Sequence, residues 1–364
     1  MEISSYEKKY LKYKKKYLSL KKKIGGTITN NILNENSFVF PNCNKESVEE
    51  YLRIKFSDPN DLDDPNDIIN LDNNEFAIQN GLIYVGSGFF GSVYKIPEYD
   101  KIIKITHTYY KDYEIEKLNA LRNISLEYNL NIFPIISCGF NSNLSYEHAP
   151  ESRIIIIELL SQFEKICIKV RKGMEKITIL NLDLLSPSLF YSVGIQIIGL
   201  IYSLYYIYMM SDKKYFIYQN DLTAGNVLLR QVDDDYICVS ISHNRTEKVK
   251  TIGIDEKKYT LVLSDFGTSY FTIKDNGIIT ELYDKEQDLQ KMRKNYPDIT
   301  IDDLNLMYDN RTIAYKCIKY QFAIIKDMFD KKNYEKHFSQ DTINLMEAGF
   351  QIYDLMNNYD GIFA

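Results

Sequence analysis

Residues 81–97 read GLIYVGSGFFGSVYKIP and hold three glycines between two apolar runs. Gly86, Gly88 and Gly91 follow the spacing G-x-G-x-x-G, with Val93 two positions further on. Glycines at these positions let backbone N–H groups approach phosphate oxygens, because no Cβ stands in the way. Apolar, strand-like residues flank the glycines, and SVYKIP is a poor helix. The stretch therefore predicts a β-hairpin that covers a nucleotide rather than the strand–turn–helix of a dinucleotide site.

The size, charge and cysteine content of the chain disfavour several classes of protein. Its 364 residues allow two domains or one two-lobed domain. A net charge of −6 disfavours a nucleic-acid binder, because neutralising phosphates requires an excess of Lys and Arg. The five Cys residues lie far apart without a C-x-x-C pair, which predicts reduced thiols and no zinc site. The N-terminal residues contain no apolar run of the kind found in signal peptides, so we predict no signal peptide.

The sequence divides into four parts by composition. Residues 1–26 are Lys-rich and predict a basic helix or arm, either solvated or bound to an acidic partner or membrane surface. Residues 27–77 predict an acidic linker rich in Asn and Asp, with short helical pieces. Residues 78–162 predict five strands and one main helix, and residues 163–364 a mainly helical part with short strands around 227–263. The predicted fold is α+β, with a small β-rich lobe before a larger helical lobe.

An uncharged segment at residues 184–211 is long enough to cross a bilayer. It contains Gln196 and several Ser and Tyr residues, which suit a protein interior better than lipid. We interpret it as a central helix buried on most sides, and we expect no membrane span.

Two charged residues in the β-rich part are placed to interact. Lys104 alternates with isoleucines in KIIKIT, so a strand would direct its side chain away from theirs. The helix predicted over 109–124 aligns Glu114 with Leu118 and Leu121 on one face. The carboxylate of Glu114 can therefore pair with Lys104, and Glu116 is the second choice.

Two further stretches carry oxygen ligands in turns. YFIYQNDLTAGNVLLR, residues 215–230, places Asp221 and Asn226 five positions apart. LVLSDFGTSY, residues 261–270, places Asp265 after an apolar run and before a glycine. Carboxylate and carboxamide oxygens suit Mg²⁺, which assigns Asn226 and Asp265 to a metal. Asp221 is then free to orient an attacking hydroxyl and accept its proton.

Taken in order, these motifs resemble the eukaryotic-type protein kinase signature over about residues 78–270. The resemblance implies a bilobal kinase-like fold, ATP and Mg²⁺ as cofactors, a Lys104–Glu114 ion pair and a catalytic Asp221. It places Ile157 at the gatekeeper position and Glu158 in the hinge that binds adenine through backbone groups. The implied ATP-binding residues are Gly86, Ser87, Gly88, Phe89, Phe90, Gly91, Val93, Lys104, Ile157, Glu158 and Leu160.

The sequence departs from the family where H-R-D-L-K is usual. Residues 219–223 read QNDLT. Asn220 replaces the Arg that often pairs with a phosphorylated activation loop, which predicts activity independent of loop phosphorylation. Thr223 replaces a Lys and removes a positive charge near the transferred phosphoryl group. No A-P-E motif follows, and the 39 positions from Asn226 to Asp265 predict an inserted hairpin or loop within 231–260.

Three functions are compatible with these residues. The predicted one is a Ser/Thr protein kinase that transfers the γ-phosphate of ATP to protein hydroxyls. Residues 220–229, NDLTAGNVLL, also resemble the catalytic loop of aminoglycoside and choline kinases, which phosphorylate small molecules. A pseudokinase scaffold is the third, and the intact set of Lys, Glu, two Asp and Asn argues against it.

The N-terminal YLKYKKKYLSLKKKIGG resembles a leader found on proteins of giant DNA viruses such as Mimivirus. This implies a viral protein that works in the host cytoplasm or is packaged in the virion. Its closing Gly25–Gly26 is either a helix stop or a processing site.

Overall fold

The computed structural model describes residues 44–56, 71, 74–88, 91–107, 113–142, 144, 152–172, 175–219, 222–267, 269–282 and 321–357. The chain divides into two compact units, residues 1–40 and 41–364, and every described residue belongs to the second. The predicted N-terminal arm and most of the predicted linker lie outside the described residues. The structure contains both helices and strands, so the fold is of mixed α and β composition.

Five antiparallel strands form the first sheet, in the order β1-β2-β3-β5-β4. They are β1 (Ile83–Gly88), β2 (Gly91–Ile96), β3 (Lys101–His107), β4 (Ile136–Ser142) and β5 (Ser152–Glu158). All five strands predicted for this region are confirmed, and their β-branched and aromatic residues, such as Ile154–Ile157 of β5, favour extended backbone. The predicted helix follows β3. It packs closely on β4, since a Cβ added at Gly139 of β4 would lie 3.4 Å from the side chain of Ile115.

The helices of the described residues have the following bounds. They are α1 (Lys45–Phe56), α2 (Asn74–Gln79), α3 (Glu114–Tyr128), α4 (Pro187–Met210), α5 (Phe322–Ile325), α6 (Gln340–Leu345) and α7 (Glu347–Asn357). Helix α1 falls within the predicted linker, yet it buries Val48, Leu52 and Phe56 at four-residue spacing. Phe56 packs edge-to-face on Tyr94 of β2, with 5.4 Å between ring centroids. Residues 45–56 therefore belong to the packed unit.

Helix α4 is the long apolar helix predicted at 184–211. Ser186 caps its N-terminus by accepting a hydrogen bond from the Leu189 N–H, and Pro187 occupies its first turn. Among the described residues it is the one helix long and apolar enough to cross a membrane, and 72% of its apolar window is buried within the protein. Close contacts explain two glycines, since an added Cβ at Gly194 would lie 2.6 Å from Ile352 and one at Gly199 would lie 2.1 Å from Val239.

Among the described residues between 163 and 282, more lie in strands than in helices, so the prediction that the chain is mainly helical after 163, apart from short strands around 227–263, is wrong there. The strands are β6 (Ser161–Gln162), β7 (Cys167–Lys172), β8 (Glu175–Leu180), β9 (Tyr215–Tyr218), β10 (Val227–Val232), β11 (Tyr236–Ser242), β12 (Arg245–Lys250), β13 (Ile252–Ile254), β14 (Lys257–Leu263), β15 (Tyr270–Asp275) and β16 (Ile278–Glu281). They form sheets β13-β14-β10-β6 and β16-β15-β9 and hairpins β7-β8 and β11-β12. Short runs rich in Ile, Val, Thr and Tyr favour strands, and tertiary pairing extends them.

Residues 231–260 contain a hairpin, one of the two alternatives predicted for this stretch, and its status as an insertion stays a prediction. Strands β11 and β12 pair through residues 236–250, and Val239 lies against Gly199 of α4. One continuous cluster of buried apolar side chains runs from α3 through α4 to α7. The division into two lobes stays a prediction.

One cysteine departs from the expected reduced state. Cys138 on β4 is disulfide-bonded, so the prediction of reduced thiols is wrong at this residue. Cys167 and Cys238 are free. Burial raises the pKa of the Cys167 thiol to about 12, which keeps it protonated at neutral pH.

Candidate active site

Lys104 and Glu114 form an ion pair between the first sheet and helix α3. Lys104 lies on β3 between Ile103 and Ile105, which are fully buried, and the alternation of the strand directs it to the opposite face. Glu114 is the first residue of α3, and its side chain is 5% exposed. The Lys104 Nζ lies 2.6 Å from the Glu114 Oε1, a short charge-assisted hydrogen bond. The helix therefore fixes where the ammonium group of Lys104 points.

Asp265 brings a second carboxylate to the same ammonium group. Its Oδ1 lies 3.5 Å from the Lys104 Nζ, and its side chain is 52% exposed. The backbone of Asp265 is left-handed, with φ of 54°, a conformation that Asp tolerates better than most residues. The next residue, Phe266, is fully buried and packs edge-to-face on Phe133 at 5.5 Å. The turn thus buries the ring and presents the carboxylate.

The glycine-rich stretch forms the hairpin predicted from the sequence. Gly88 pairs with Gly91 where β1 meets β2, and Gly91 in turn pairs with Thr106 of β3. An added Cβ at Gly91 would lie 2.0 Å from the Ile105 carbonyl oxygen, so the close approach of β2 to β3 requires glycine. An added Cβ at Gly86 would meet no atom within 4 Å. Packing therefore explains the glycine at position 91 and leaves the one at position 86 to another cause.

Four other residues of the glycine-rich stretch belong to the predicted ATP-binding set. Ser87 is exposed and pairs with Ser92, and Val93 pairs directly with Lys104 across β2 and β3. Cross-strand partners share a face of the sheet, so Val93 lies beside the lysine. Phe89 and Phe90 lie outside the described residues.

Asn226 and Asp265 meet because they lie at the same end of an antiparallel strand pair. Asn226 closes a 3₁₀ turn (224–226) just before β10, and Asp265 follows β14. Val227 pairs with Leu263, which brings the two ends together. The Asn226 carbonyl accepts hydrogen bonds from the N–H of Ser264 at 2.9 Å and from its Oγ at 3.1 Å. The predicted metal ligands therefore sit on adjoining turns.

Gln219 links the catalytic-loop stretch to the Asp265 turn. Its Nε2 donates to the carbonyls of Ser264 at 2.7 Å and Asp265 at 2.9 Å. Its own N–H donates to the Oε1 of Gln321 at 3.0 Å, and Gln321 is fully buried. Asp221, the predicted catalytic residue two positions later, lies outside the described residues. No sequence pattern marks Gln321, which lies 102 positions from its partner.

The sequence also offers Asp288 and Asp302 as two alternatives for the residue that anchors the core of the predicted helical lobe. Both lie outside the described residues.

The segment predicted to hold adenine is fixed by an ion pair that the sequence did not reveal. Ile157 is half-buried at the end of β5, and Leu160 is buried. The Glu158 carboxylate accepts the Ile135 N–H at 2.7 Å and the Nε of Arg230 at 3.0 and 3.1 Å. The Glu158 N–H donates to the Ile135 carbonyl at 3.0 Å. The side chain of Glu158 is thus bound within the protein, and a ligand would meet its remaining backbone groups.

The residues present fit a magnesium ion that is shared with a substrate phosphate. Mg²⁺ prefers oxygen ligands and is commonly held by one or two protein groups together with phosphates and water. Asp265 offers a half-exposed carboxylate, and Asn226 offers a carboxamide on the adjoining turn. Within the described ranges, no group of three or more His, Cys, Asp and Glu side chains is placed to hold a metal. The donor set therefore suits a nucleotide-bound cation rather than a metal held by the protein alone.

No family model and no curated protein matches the chain. Among solved structures, 108 chains match, one of them being the crystal structure of the kinase domain of PF14_0431. That match has 15% sequence identity and a TM-score of 0.34, and it covers 68% of this chain and 62% of the other. The chain therefore spans less than two thirds of that structure. The TM-score is too low to equate the two folds, so the function proposed below depends on the geometry of the site alone.

Proposed function

We propose that the protein is an ATP- and Mg²⁺-dependent phosphotransferase that transfers the γ-phosphate to Ser or Thr hydroxyls of proteins. One observation carries the proposal: the Lys104 Nζ lies 2.6 Å from the Glu114 Oε1 and 3.5 Å from the Asp265 Oδ1. Lys104 also lies beside the strand that leaves the glycine hairpin. The ammonium group of Lys104 thus lies close to the Asp265 carboxylate, which suits Mg²⁺, and beside a strand of the glycine hairpin.

Phosphoryl transfer needs this kind of arrangement. Its transition state spreads negative charge over the oxygens of the transferred group, so catalysis consists mainly of positioning and charge stabilisation. Lys104 supplies a positive charge toward the phosphates. Glu114, being almost buried, holds that charge in one orientation and loses little to solvent screening. The cation is therefore in place before the nucleotide arrives.

The turns supply the remaining groups. Asp265 and Asn226 would hold Mg²⁺, which neutralises charge on the phosphate oxygens when bound. Asp221 would accept the proton of the acceptor hydroxyl as that oxygen bonds to the γ-phosphorus. The bond from the γ-phosphorus to the bridging oxygen breaks, and ADP leaves with that oxygen. Gly86, where a side chain would meet open space, leaves room for phosphates near the hairpin backbone.

ATP binding and turnover test the proposal directly. Calorimetry with and without Mg²⁺ should show metal-dependent ATP binding. Lys104→Met should lower kcat/KM by about 100-fold or more, because it removes a preorganised charge from the transition state. Asp265→Asn should abolish Mg²⁺-dependent turnover. The matched control is Lys95→Met, a strand lysine whose partner is the exposed Asp100, and it should change kcat/KM by no more than about twofold. Turnover of Lys104→Met equal to that of the wild type would refute the assignment.

The acceptor needs a separate measurement. Labelled ATP should be offered to peptide libraries and, in parallel, to choline-like and aminoglycoside panels. We expect label on Ser or Thr of peptides. Label found only on small molecules would move the protein to the small-molecule kinases, and ATP binding without transfer would indicate a scaffold. Phosphatase treatment should leave activity intact, because Asn220 lacks the charge that reads a phosphorylated loop.

A further inference from the structure

Lys117 is a completely buried lysine that binds the turn after Asp265. It lies on α3, and its relative exposure is 0%. Its Nζ donates hydrogen bonds to the carbonyl oxygens of Phe266 at 3.1 Å, Gly267 at 2.7 Å and Ser269 at 2.9 Å. These contacts join residues about 150 positions apart, and nothing in the local sequence predicts them.

The burial of this ammonium group requires the three carbonyls. An ammonium carries three donors, and a buried charge is tolerated only when it is well satisfied. Here three carbonyl oxygens from one turn match the three donors of Lys117. Without this contact, the charge of Lys117 would be buried without hydrogen-bond partners. The contact therefore stabilises the packing of α3 against the turn.

Gln219 holds the same turn from the other side. It donates to the carbonyls of Ser264 and Asp265, the two residues that precede those bound by Lys117. Lys117 and Gln219 together therefore donate to the carbonyls of residues 264–267 and 269, and the Ser269 hydroxyl adds a bond to the Phe266 carbonyl at 2.7 Å. Since a change of the backbone dihedral angles at Asp265 would disturb these bonds, they restrain the backbone from which its carboxylate projects. Lys117 and Gln219 thus hold the backbone on both sides of Asp265, and we call this arrangement the backbone clamp.

We propose that Lys117 is a positioning residue that couples helix α3 to the metal ligand Asp265. The inference rests on the proposed function, since it takes Asp265 to be a ligand of nucleotide-bound Mg²⁺. Glu114 and Lys117 lie one helical turn apart, so the same stretch of α3 holds both the Lys104 cation and the Asp265 turn. A displacement of α3 would disturb both at once. Magnesium binding and the placement of α3 are therefore linked, and the linkage is reciprocal.

The first test is the Mg²⁺ concentration that gives half-maximal turnover at saturating ATP. Lys117→Met keeps the length of the side chain but removes its donors, and it should raise that concentration ~10–100-fold, as expected when a group that orients a metal ligand is lost. A merely structural role would reduce the amount of folded enzyme and leave the midpoint unchanged.

Gln196→Met is the matched control. Gln196 is buried on α4 and accepts the Leu261 N–H of β14 at 3.0 Å, and among the described residues none of its hydrogen bonds involves the carbonyls of residues 264–269 that Lys117 and Gln219 bind. The variant should lose stability and keep the wild-type Mg²⁺ midpoint to within about twofold.

Hydrogen exchange keeps the inference testable if Lys117→Met does not fold. Adding Mg²⁺ to the wild-type protein bound to a non-hydrolysable ATP analogue should slow amide exchange in residues 115–124 of α3. The same slowing should persist in Glu114→Gln, because Lys117 carries the coupling. Loss of the slowing in that variant, or its absence in the wild type, would overturn the inference.

The outcomes separate this inference from the proposed function. If the wild type shows no Mg²⁺-dependent ATP binding, the proposed function is wrong and the inference falls with it. If the wild type binds Mg²⁺ and ATP but Lys117→Met keeps the wild-type midpoint, the inference alone is wrong.

Discussion

Replacing Arg230 with Met should lower the free energy of unfolding by about 3–5 kcal/mol, the range for breaking a buried ion pair. Arg230 is 5% exposed and its partner Glu158 is 13% exposed. The guanidinium binds both carboxylate oxygens of Glu158, and it also donates to the carbonyls of Asn131 and Phe133. After the change, the Ile135 N–H still donates a hydrogen bond to the Glu158 carboxylate, at 2.7 Å. Two carbonyls also lose a charged donor, which adds about 1 kcal/mol or more each to the loss. The upper half of the range is therefore expected.

Urea unfolding of a double-mutant cycle measures this loss. Arg230→Met and Glu158→Met should each be strongly destabilising, and the double variant should cost less than the sum, because neither charge is then left alone. Lys172→Met is the control, since Lys172 and Asp327 form an exposed pair at 3.1 Å whose loss should cost about 1 kcal/mol or less. If Arg230→Met costs no more than this control, the inference of a stabilising buried pair is wrong.

Three further predictions concern single residues. Gly91→Ala should lower the free energy of unfolding by about 2 kcal/mol or more, because its Cβ would meet the Ile105 carbonyl. Gly86→Ala should change the free energy of unfolding by less than about 0.5 kcal/mol and yet raise the Kd for ATP. Equal losses of stability in urea for the two variants would contradict this. Burial raises the pKa of the Cys167 thiol to about 12 in the folded protein, whereas the unfolded thiol loses its proton near the ordinary value of 9.0, so the free energy of unfolding should fall with rising pH across that window. Cys167→Ala should flatten the fall in a pH series of urea midpoints, and an unchanged slope would count against the burial. Gln219→Leu should raise the Mg²⁺ midpoint of turnover, because the Asp265 turn loses two donors, and a wild-type midpoint would contradict the clamp.

Local patterns predicted the first sheet and its helix well. Alternating apolar residues and the glycine hairpin specify β1 to β3 within about 25 residues, and the face that carries Glu114 follows from helical spacing. The structure places Lys104 and Glu114 in contact, while their roles in catalysis stay predictions. Short strands were expected around 227–263, but the other later strands were missed because hairpins such as β7-β8 are short and gain their stability from neighbours distant in sequence.

The groups that hold the site in shape were not predictable from single motifs. Gln321 reaches Gln219 across 102 positions, and Arg230 reaches Glu158 across 72. Lys117 occupies a helix position where a lysine would ordinarily be solvated. Each of these contacts depends on tertiary packing that brings a polar group to a buried backbone or carboxylate. A sequence pattern shows the residue type at each position but not the distant residue that its side chain contacts.

The long interval between Asn226 and Asp265 need not disturb the placement of these two proposed metal ligands, and strand pairing gives the reason. Residues 227–232 pair with 263–258 in antiparallel register, so the two ligands lie at one end of the ladder and the inserted hairpin leaves from the other. Five steps at about 3.4 Å separate the two ends by about 17 Å. The insertion then packs on α4, where Val239 lies against Gly199, rather than over the ligands. Residues added at the far end of the ladder therefore contact α4, while the register of the β10–β14 pair determines the geometry of the candidate site.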